Sequence, residues 1–221
     1  MSDSETPKPS PARRARGVPT AGPQAQRNLL RAASELFYRE GVRTVGVDAV
    51  VEHAGVNKMS LYRQFSSKDE LVMAYLEQKD EQFFGYVEKS FAKHPGEPAK
   101  QLQQYFDDLS VRASVENYRG CPFVNVSVEF ADTGHPARQF VFRNKGRLMA
   151  RLLDLSTAAG ADDPAALANA LGLLIEGVYA ASQTYGPGCG PILAAPKVAA
   201  QLIAAACGGP QARRVGADPR R

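Results

Sequence analysis

Lys58, Met59, Ser60, Tyr62 and Arg63 fall within six consecutive residues and carry a cation, a thioether, a hydroxyl, a phenol and a guanidinium. At 3.6 residues per turn, Leu61 and Phe65 share the face that must be buried. Met59 and Arg63 then lie opposite, flanked by Ser60 and Tyr62, with Lys58 and Gln64 nearer the buried edge. The chemistry on offer is recognition of base edges. Arg63 can pair with O6 and N7 of guanine, Ser60 can read either base, and Met59 can pack on a thymine methyl. Tyr62, Thr44 and Lys68 suit phosphate oxygens, helped by the free N–H groups of helix N-termini. Taken singly, each of these residues equally suits a solvated face. At this spacing together they favour nucleic acid.

That face needs elements to hold it. The stretch from Gly41 to Leu76 reads as two short helices, at about 47–53 and 58–65, meeting at Ala54-Gly55-Val56. Gly46 and Asn57 are the expected N-caps, Gly55 supplies the positive φ of the turn, and Val56 plugs inward. A preceding helix opens at Gly22-Pro23, repeats Leu29, Ala33, Leu36 and Phe37, and stops at Gly41. Ser67-Lys68-Asp69-Glu70 matches a capping box and starts a long helix to about Lys93, ended by His94-Pro95-Gly96. Further helices are expected near 98–117, 121–132, 136–159 and 163–185. A Gly/Pro-rich loop at 186–191 precedes a last helix from about Pro196 to Cys207. With no strand alternation anywhere, the fold class is all-α.

Charge is distributed unevenly. Residues 1–68 hold 11 Lys/Arg against 6 Asp/Glu, whereas residues 69–212 hold 12 against 16. A basic head and an acidic body predict which end meets phosphate. The three cysteines are far apart and odd in number, which fits a reducing cytoplasm. No signal peptide is visible, and the longest apolar stretch, 167–181, is interrupted by Asn169 and Glu176, so no membrane span is expected.

The pieces A-G-V at Ala54–Val56, L-Y-R-Q-F at Leu61–Phe65 and S-K-D-E-L at Ser67–Leu71 resemble the DNA-binding domain of the TetR/AcrR family of bacterial transcriptional regulators. The resemblance covers about residues 24–76. It implies that Tyr62 and Lys68 contact the DNA backbone. Many members carry Ser or Thr where this chain has Gly46, so the hydroxyl contact to phosphate is missing unless Thr44 replaces it. The candidate DNA contacts are therefore Thr44, Gly46, Asn57, Lys58, Met59, Ser60, Tyr62, Arg63, Gln64 and Lys68. The resemblance further implies a homodimer on double-stranded DNA, with two heads on successive half-sites of a palindrome, and a small-molecule effector bound by the C-terminal helices. The expected organisation is a disordered basic tail at 1–21 and a helix-turn-helix domain at 22–68. A ligand-binding and dimerisation domain follows at 69–207, then a disordered tail at 208–221.

The dimer has support from the residues. Leu167, Leu171, Leu174, Ile175 and Val178 line one face of a helix, and Val198, Leu202, Ile203 and Ala206 line another, with Gly172 and Gly177 permitting close approach. Two such helices per subunit would form a four-helix interface. For the effector, aromatic and aliphatic side chains point to a pocket of Phe84, Tyr105, Phe106, Phe123, Val126, Phe130 and Tyr179, with Phe83 and Tyr86 nearby. Glu129 would favour a cationic or hydrogen-bond-donating ligand if it faced inward. Cys121 could sense oxidants, although a lone cysteine is more often a small buried residue. His53, His94 and His135 lack metal-ligand spacing, and no cofactor is expected. With no phosphate-cradling loop, nucleophile elbow or triad, catalysis is not expected. The reading is a cytoplasmic, ligand-responsive regulator, a repressor in the first instance. The alternative is a DNA-binding protein that works without an effector or with a protein partner.

Overall fold

The computed structural model describes residues 22–208. The expected basic tail with Arg13, Arg14 and Arg16, and the C-terminal tail from residue 209, lie outside the described residues. Among the described residues there are nine helices and no strand: α1 (Gly22–Glu40), α2 (Val47–Ala54), α3 (Lys58–Gln64), α4 (Lys68–Phe91), α5 (Pro98–Ala113), α6 (Pro122–Glu129), α7 (Pro136–Ala158), α8 (Pro164–Thr184) and α9 (Gly190–Cys207).

The first three helices form one head. α1 packs on both α2 and α3, burying Leu29, Ala33, Leu36 and Phe37 against Val50, Ala54 and Leu61. Gly55 adopts φ 65° after α2. Its N–H donates to the Glu52 carbonyl at 3.1 Å, and the Val56 N–H reaches the Val51 carbonyl at 3.2 Å. These bonds satisfy carbonyls left free at the helix end and reverse the chain within three residues. Asn57 Oδ1 then accepts the Ser60 N–H at 2.8 Å, capping α3, and Ser67 Oγ accepts the Glu70 N–H at 3.1 Å, capping α4. The reciprocal half of the expected box is displaced by one residue. The Glu70 carboxylate accepts from the N–H and hydroxyl of Ser66, both at 2.6 Å.

α4 ties head to body. Its first turns carry Tyr75, whose ring meets Phe37 of α1 edge-on at 5.5 Å. Its later turns pack on α5 and α7. α5 lies within the body against α4, α7, α8 and α9, with Leu102, Tyr105, Phe106 and Leu109 fully buried.

α9 begins at Gly190, about one and a half turns before the expected start, and runs through Pro196. Pro191 falls in the first turn, where a missing N–H costs nothing. Pro196 leaves the Ile192 carbonyl without its helical donor. Ser110 of α5 supplies the replacement, donating its hydroxyl to that carbonyl at 3.0 Å. The Gln103 side-chain amide donates to the Pro196 carbonyl, also at 3.0 Å. A proline that looks like a helix start is thus an interior residue repaired by a neighbouring helix. Ser110→Ala should leave the buried Ile192 oxygen unsatisfied and destabilise the fold by about 1–2 kcal/mol in urea unfolding.

The apolar faces of α8 and α9 divide differently from expectation. Leu167, Leu171, Ile175 and Val178 of α8 and Ile203 of α9 are buried within the subunit. The outward stripe is Leu173, Gly177 and Ala180 on α8, with Ala194, Val198 and Ala205 on α9. A Cβ on Gly172 would meet Met149 Sδ of α7 at 2.7 Å, whereas one on Gly177 would meet open space. Both faces are apolar, so periodicity alone cannot say which one faces inward. α8 and α9 are also long and apolar enough to cross a membrane by length and composition, with mean hydropathy 1.4 in each, contrary to the reading of 167–181. In this fold α8 packs on α7 and α9, and its Glu176 pairs with Lys145 at 2.5 Å.

Candidate nucleic-acid interface and cavity

α3 buries Leu61 completely and turns Lys58, Met59, Tyr62 and Arg63 to solvent. Met59 is 67 % exposed and Tyr62 49 %. A thioether and a phenol held this openly do nothing for the fold, which leaves them available to a partner. Ser60 is half-buried, and its hydroxyl donates to Asn57 Oδ1 at 3.0 Å. Lys58 pairs with Asp48 of α2 at 2.8 Å, and that bond raises its pKa. Lys58 must therefore exchange a carboxylate for any DNA oxygen it meets. Gln64 is half-buried, with its amide 3.5 Å from the position a Cβ on Gly22 would take. Thr44 and Gly46 are exposed beside the start of α2. Gly46 caps α2 with no side-chain bond. Lys68 is half-buried in the first turn of α4. Burial pushes its pKa down, against an opposing pull from Glu129.

Glu129 ends α6 and grips the head. Its Oε2 accepts the Arg43 backbone N–H at 2.7 Å, and Arg43 Nη1 donates to the Glu129 carbonyl at 3.2 Å. The carboxylate sits against Gly41, whose φ is +95°, and a Cβ there would lie 3.2 Å from both of its oxygens. A second tie comes from α1. The Tyr38 hydroxyl accepts the Arg119 N–H at 2.9 Å and donates to the Gly120 carbonyl at 3.0 Å.

Beside these ties lies a cavity of about 320 Å³, walled by Tyr38 of α1, Lys79, Gln82, Phe83 and Tyr86 of α4, Arg112 of α5, Val115, Tyr118, Gly120, Cys121, Pro122 of α6 and Tyr179 of α8. Of the residues expected to form a pocket, Tyr179 lines it, and Phe84, Tyr105, Phe106, Phe123, Val126, Glu129 and Phe130 do not. Tyr105, Phe106, Phe123 and Val126 are solid core. Phe84 lies under the Arg147 guanidinium at 3.9 Å, and Phe130 packs against His135, the rings tilted by 32° with centres 4.3 Å apart. Glu129 is occupied by Arg43, so it sets no preference for a cationic ligand in this cavity. Tyr38, Lys79 and Arg112 were not foreseen. The available signal was the spacing of Lys79, Gln82, Phe83 and Tyr86, which is one helix face by i, i+3, i+4 and i+7. Cys121 is buried, and burial pushes its thiol pKa up, which disfavours the reactive thiolate. Among the described residues no cluster of three or more His, Cys, Asp or Glu could hold a metal ion.

An exposed recognition helix, seated on a glycine turn and carried at one end of a larger helical body, defines a helix-turn-helix DNA-binding regulator. Residues 29–75 match the family model for bacterial regulatory proteins of the tetR family. The chain is 29 % identical to the transcriptional regulator AcuR of Cereibacter sphaeroides over 184 residues, spanning 78 % of this chain and 84 % of that protein. It is 49 % identical to the HTH-type transcriptional activator FasR of Mycolicibacterium smegmatis over 49 residues, 22 % of each chain. The crystal structure of a regulator from Streptomyces avermitilis assigned to the TetR group superposes with TM-score 0.72 at 32 % identity, covering 82 % of this chain and 97 % of that one. The chain belongs to the TetR family of transcriptional regulators, and DNA is its partner.

Proposed function

We propose that the protein is a homodimeric, ligand-responsive repressor that leaves a palindromic operator when a small molecule fills the cavity beside Tyr38. The observation that carries this reading is the shared wall between cavity and head. Tyr38 belongs to the same helix that supports α3, yet it lines the cavity and holds the backbone at 119–120. α6 begins in the cavity wall at Pro122 and ends on the head at Glu129. A ligand that displaces Tyr38 or Pro122 therefore shifts the head, and it need only bind the displaced form better to move the equilibrium. The outward apolar stripe on α8 and α9 supports pairing of two subunits there, which would set two heads on successive half-sites. The relative named as an activator matches this chain over only 49 residues, a stretch too short to carry the sign of regulation.

In this reading Lys58, Met59, Ser60, Arg63 and Gln64 face the bases, and Thr44, Gly46, Asn57, Tyr62 and Lys68 face the backbone. The 22–68 segment is the reading domain, and 69–207 senses and dimerises. Selection of bound sequences from a random duplex library at about 0.15 M salt, which suppresses nonspecific binding, should return a palindrome with half-sites about one turn apart. No enrichment would remove sequence reading from the proposal. Tyr62→Phe should weaken binding about equally on every duplex. Arg63→Ala should relax preference at one base position, by about 1–3 kcal/mol in competition binding. Equal loss on all duplexes for Arg63→Ala would remove its role as a base reader.

A further inference from the structure

The cavity wall contains two cations and no acid. Lys79 and Arg112 line it with five aromatic rings, and no Asp or Glu does. Lys79 Nζ stands 5.5 Å from the Tyr38 ring centre and 5.8 Å from that of Tyr75. The Arg112 guanidinium stands 5.1 Å from the Tyr86 ring centre and 5.9 Å from that of Tyr105. Among the described residues neither holds an ion pair, although ten other pairs occur in the fold. The Lys79 ammonium has one side-chain acceptor, the neutral amide of Gln82 at 3.3 Å. Five cations elsewhere in the body find carboxylates: Lys93 with Asp108, Lys100 with Glu97, Lys145 with Glu176, Arg147 with Asp80 and Arg151 with Glu88, while the half-buried Arg138 donates to the Ser127 carbonyl instead. Half-buried charges are ordinarily matched in this way, because desolvation penalises an unmatched one. Two unmatched cations facing one small cavity are therefore an electrostatic vacancy of defined sign.

We propose that the cavity takes an organic anion with a planar apolar body and a carboxylate, the carboxylate meeting Lys79 or Arg112 and the body lying among the aromatic rings of the wall. The proposal rests on the ligand-responsive reading above and adds the chemistry of the ligand. A charge-assisted bond to the ammonium or the guanidinium fixes the carboxylate, and the second cation adds to the positive field. The rings supply apolar contact that a bare inorganic anion would not use. A volume of about 320 Å³ lies at the lower end for small-molecule sites, which limits the body to roughly one ring with a short extension. Burial lowers the pKa of Lys79, with no carboxylate nearby to restore it. A bound carboxylate would supply that restoring charge.

The test uses matched probes on the full chain: benzoate, benzamide and benzylamine, and cinnamate, cinnamamide and cinnamylamine. Each set holds shape nearly constant while the charge runs from negative through neutral to positive. Calorimetric titration should show at least one carboxylate binding about tenfold or more tighter than its amide, with the amine weakest. Lys79→Met or Arg112→Met, whichever removes the cation that bonds the carboxylate, should bring the carboxylate-to-amide ratio towards one. Lys79→Met should leave the thermal midpoint of the ligand-free protein close to the parent value, because Met keeps the apolar stem and relief of the ammonium's desolvation offsets the lost contacts with Gln82, Tyr38 and Tyr75. That separates loss of binding from loss of fold. Amides or amines binding as well as carboxylates, no carboxylate bound at millimolar concentration, or ratios unchanged in both variants would each overturn the assignment. Operator binding, read separately, tells the two proposals apart. A carboxylate that binds without releasing DNA sinks ligand-controlled release and leaves the anion site standing. A neutral compound that binds preferentially and releases DNA does the reverse.

Discussion

Val198→Glu is expected to yield a monomer by sedimentation velocity and to lower affinity for a palindromic duplex by about a hundredfold or more. Val198 lies on the outward stripe of α9 and is partly exposed, with Ala194 and Ala205 on the same side. Its substitution leaves the subunit core intact. In a symmetric interface each substitution appears twice, so two carboxylates would be brought into one apolar contact. With both heads on one dimer, the second half-site is met at high effective concentration, and separating the subunits removes that advantage, about 10²–10⁴ in affinity. Affinity for an isolated half-site should stay close to the parent value, because the reading helix is remote in sequence and unaltered. A variant that remains dimeric, or a monomer that keeps full affinity, would place the pairing surface elsewhere.

Glu129→Ala should cost about 0.5–1.5 kcal/mol in denaturant unfolding, the usual net worth of a hydrogen bond, because the Arg43 N–H is exposed and water can replace the lost acceptor. The Arg43 N–H would lose the 2.7 Å bond that joins α6 to the head. The functional effect should be larger than the stability effect suggests. On the proposed coupling, loss of that grip stops movement of Pro122 in the cavity wall from reaching the loop before α2. The ligand-free variant should still bind operator, while the ratio of affinities without and with a cavity ligand falls towards one. Release equal to the parent protein's would show that coupling runs through Tyr38 and α4 alone.

The reading helix was visible in the sequence because its determinants are local. Leu61 and Phe65 set the buried face, Asn57 and Gly55 set the ends, and the outward residues follow from helical period alone. The all-α class and the helix order were legible for the same reason. Pro196 misled, because a proline marks a helix start unless a distant hydroxyl repairs the carbonyl it abandons. That hydroxyl, on Ser110, is 82 positions from the carbonyl it serves. The cavity was illegible for a related cause. Tyr38, Lys79, Arg112, Cys121 and Tyr179 converge from five separate segments, and hydrophobicity gives no reason to put a lysine and an arginine in a wall. Of the aromatic residues that composition favoured, Tyr179 lines the cavity, with Phe83 and Tyr86, whereas Phe84, Tyr105, Phe106, Phe123 and Phe130 serve packing. Glu129 is half-buried and faces Arg43 rather than the cavity, and nothing in its own segment points to that partner.

The ties at Tyr38 and Glu129 bear on how such a protein can be recombined. Exchanging only residues 22–68 for those of another regulator would separate Phe37 from Tyr75, Tyr38 from Gly120 and Arg43 from Glu129. A chimera cut there would carry a new reading surface on a severed linkage. The transferable cassette is therefore discontinuous: the three head helices, the first half of α4, and the segment from Arg119 to Glu129 that clasps them.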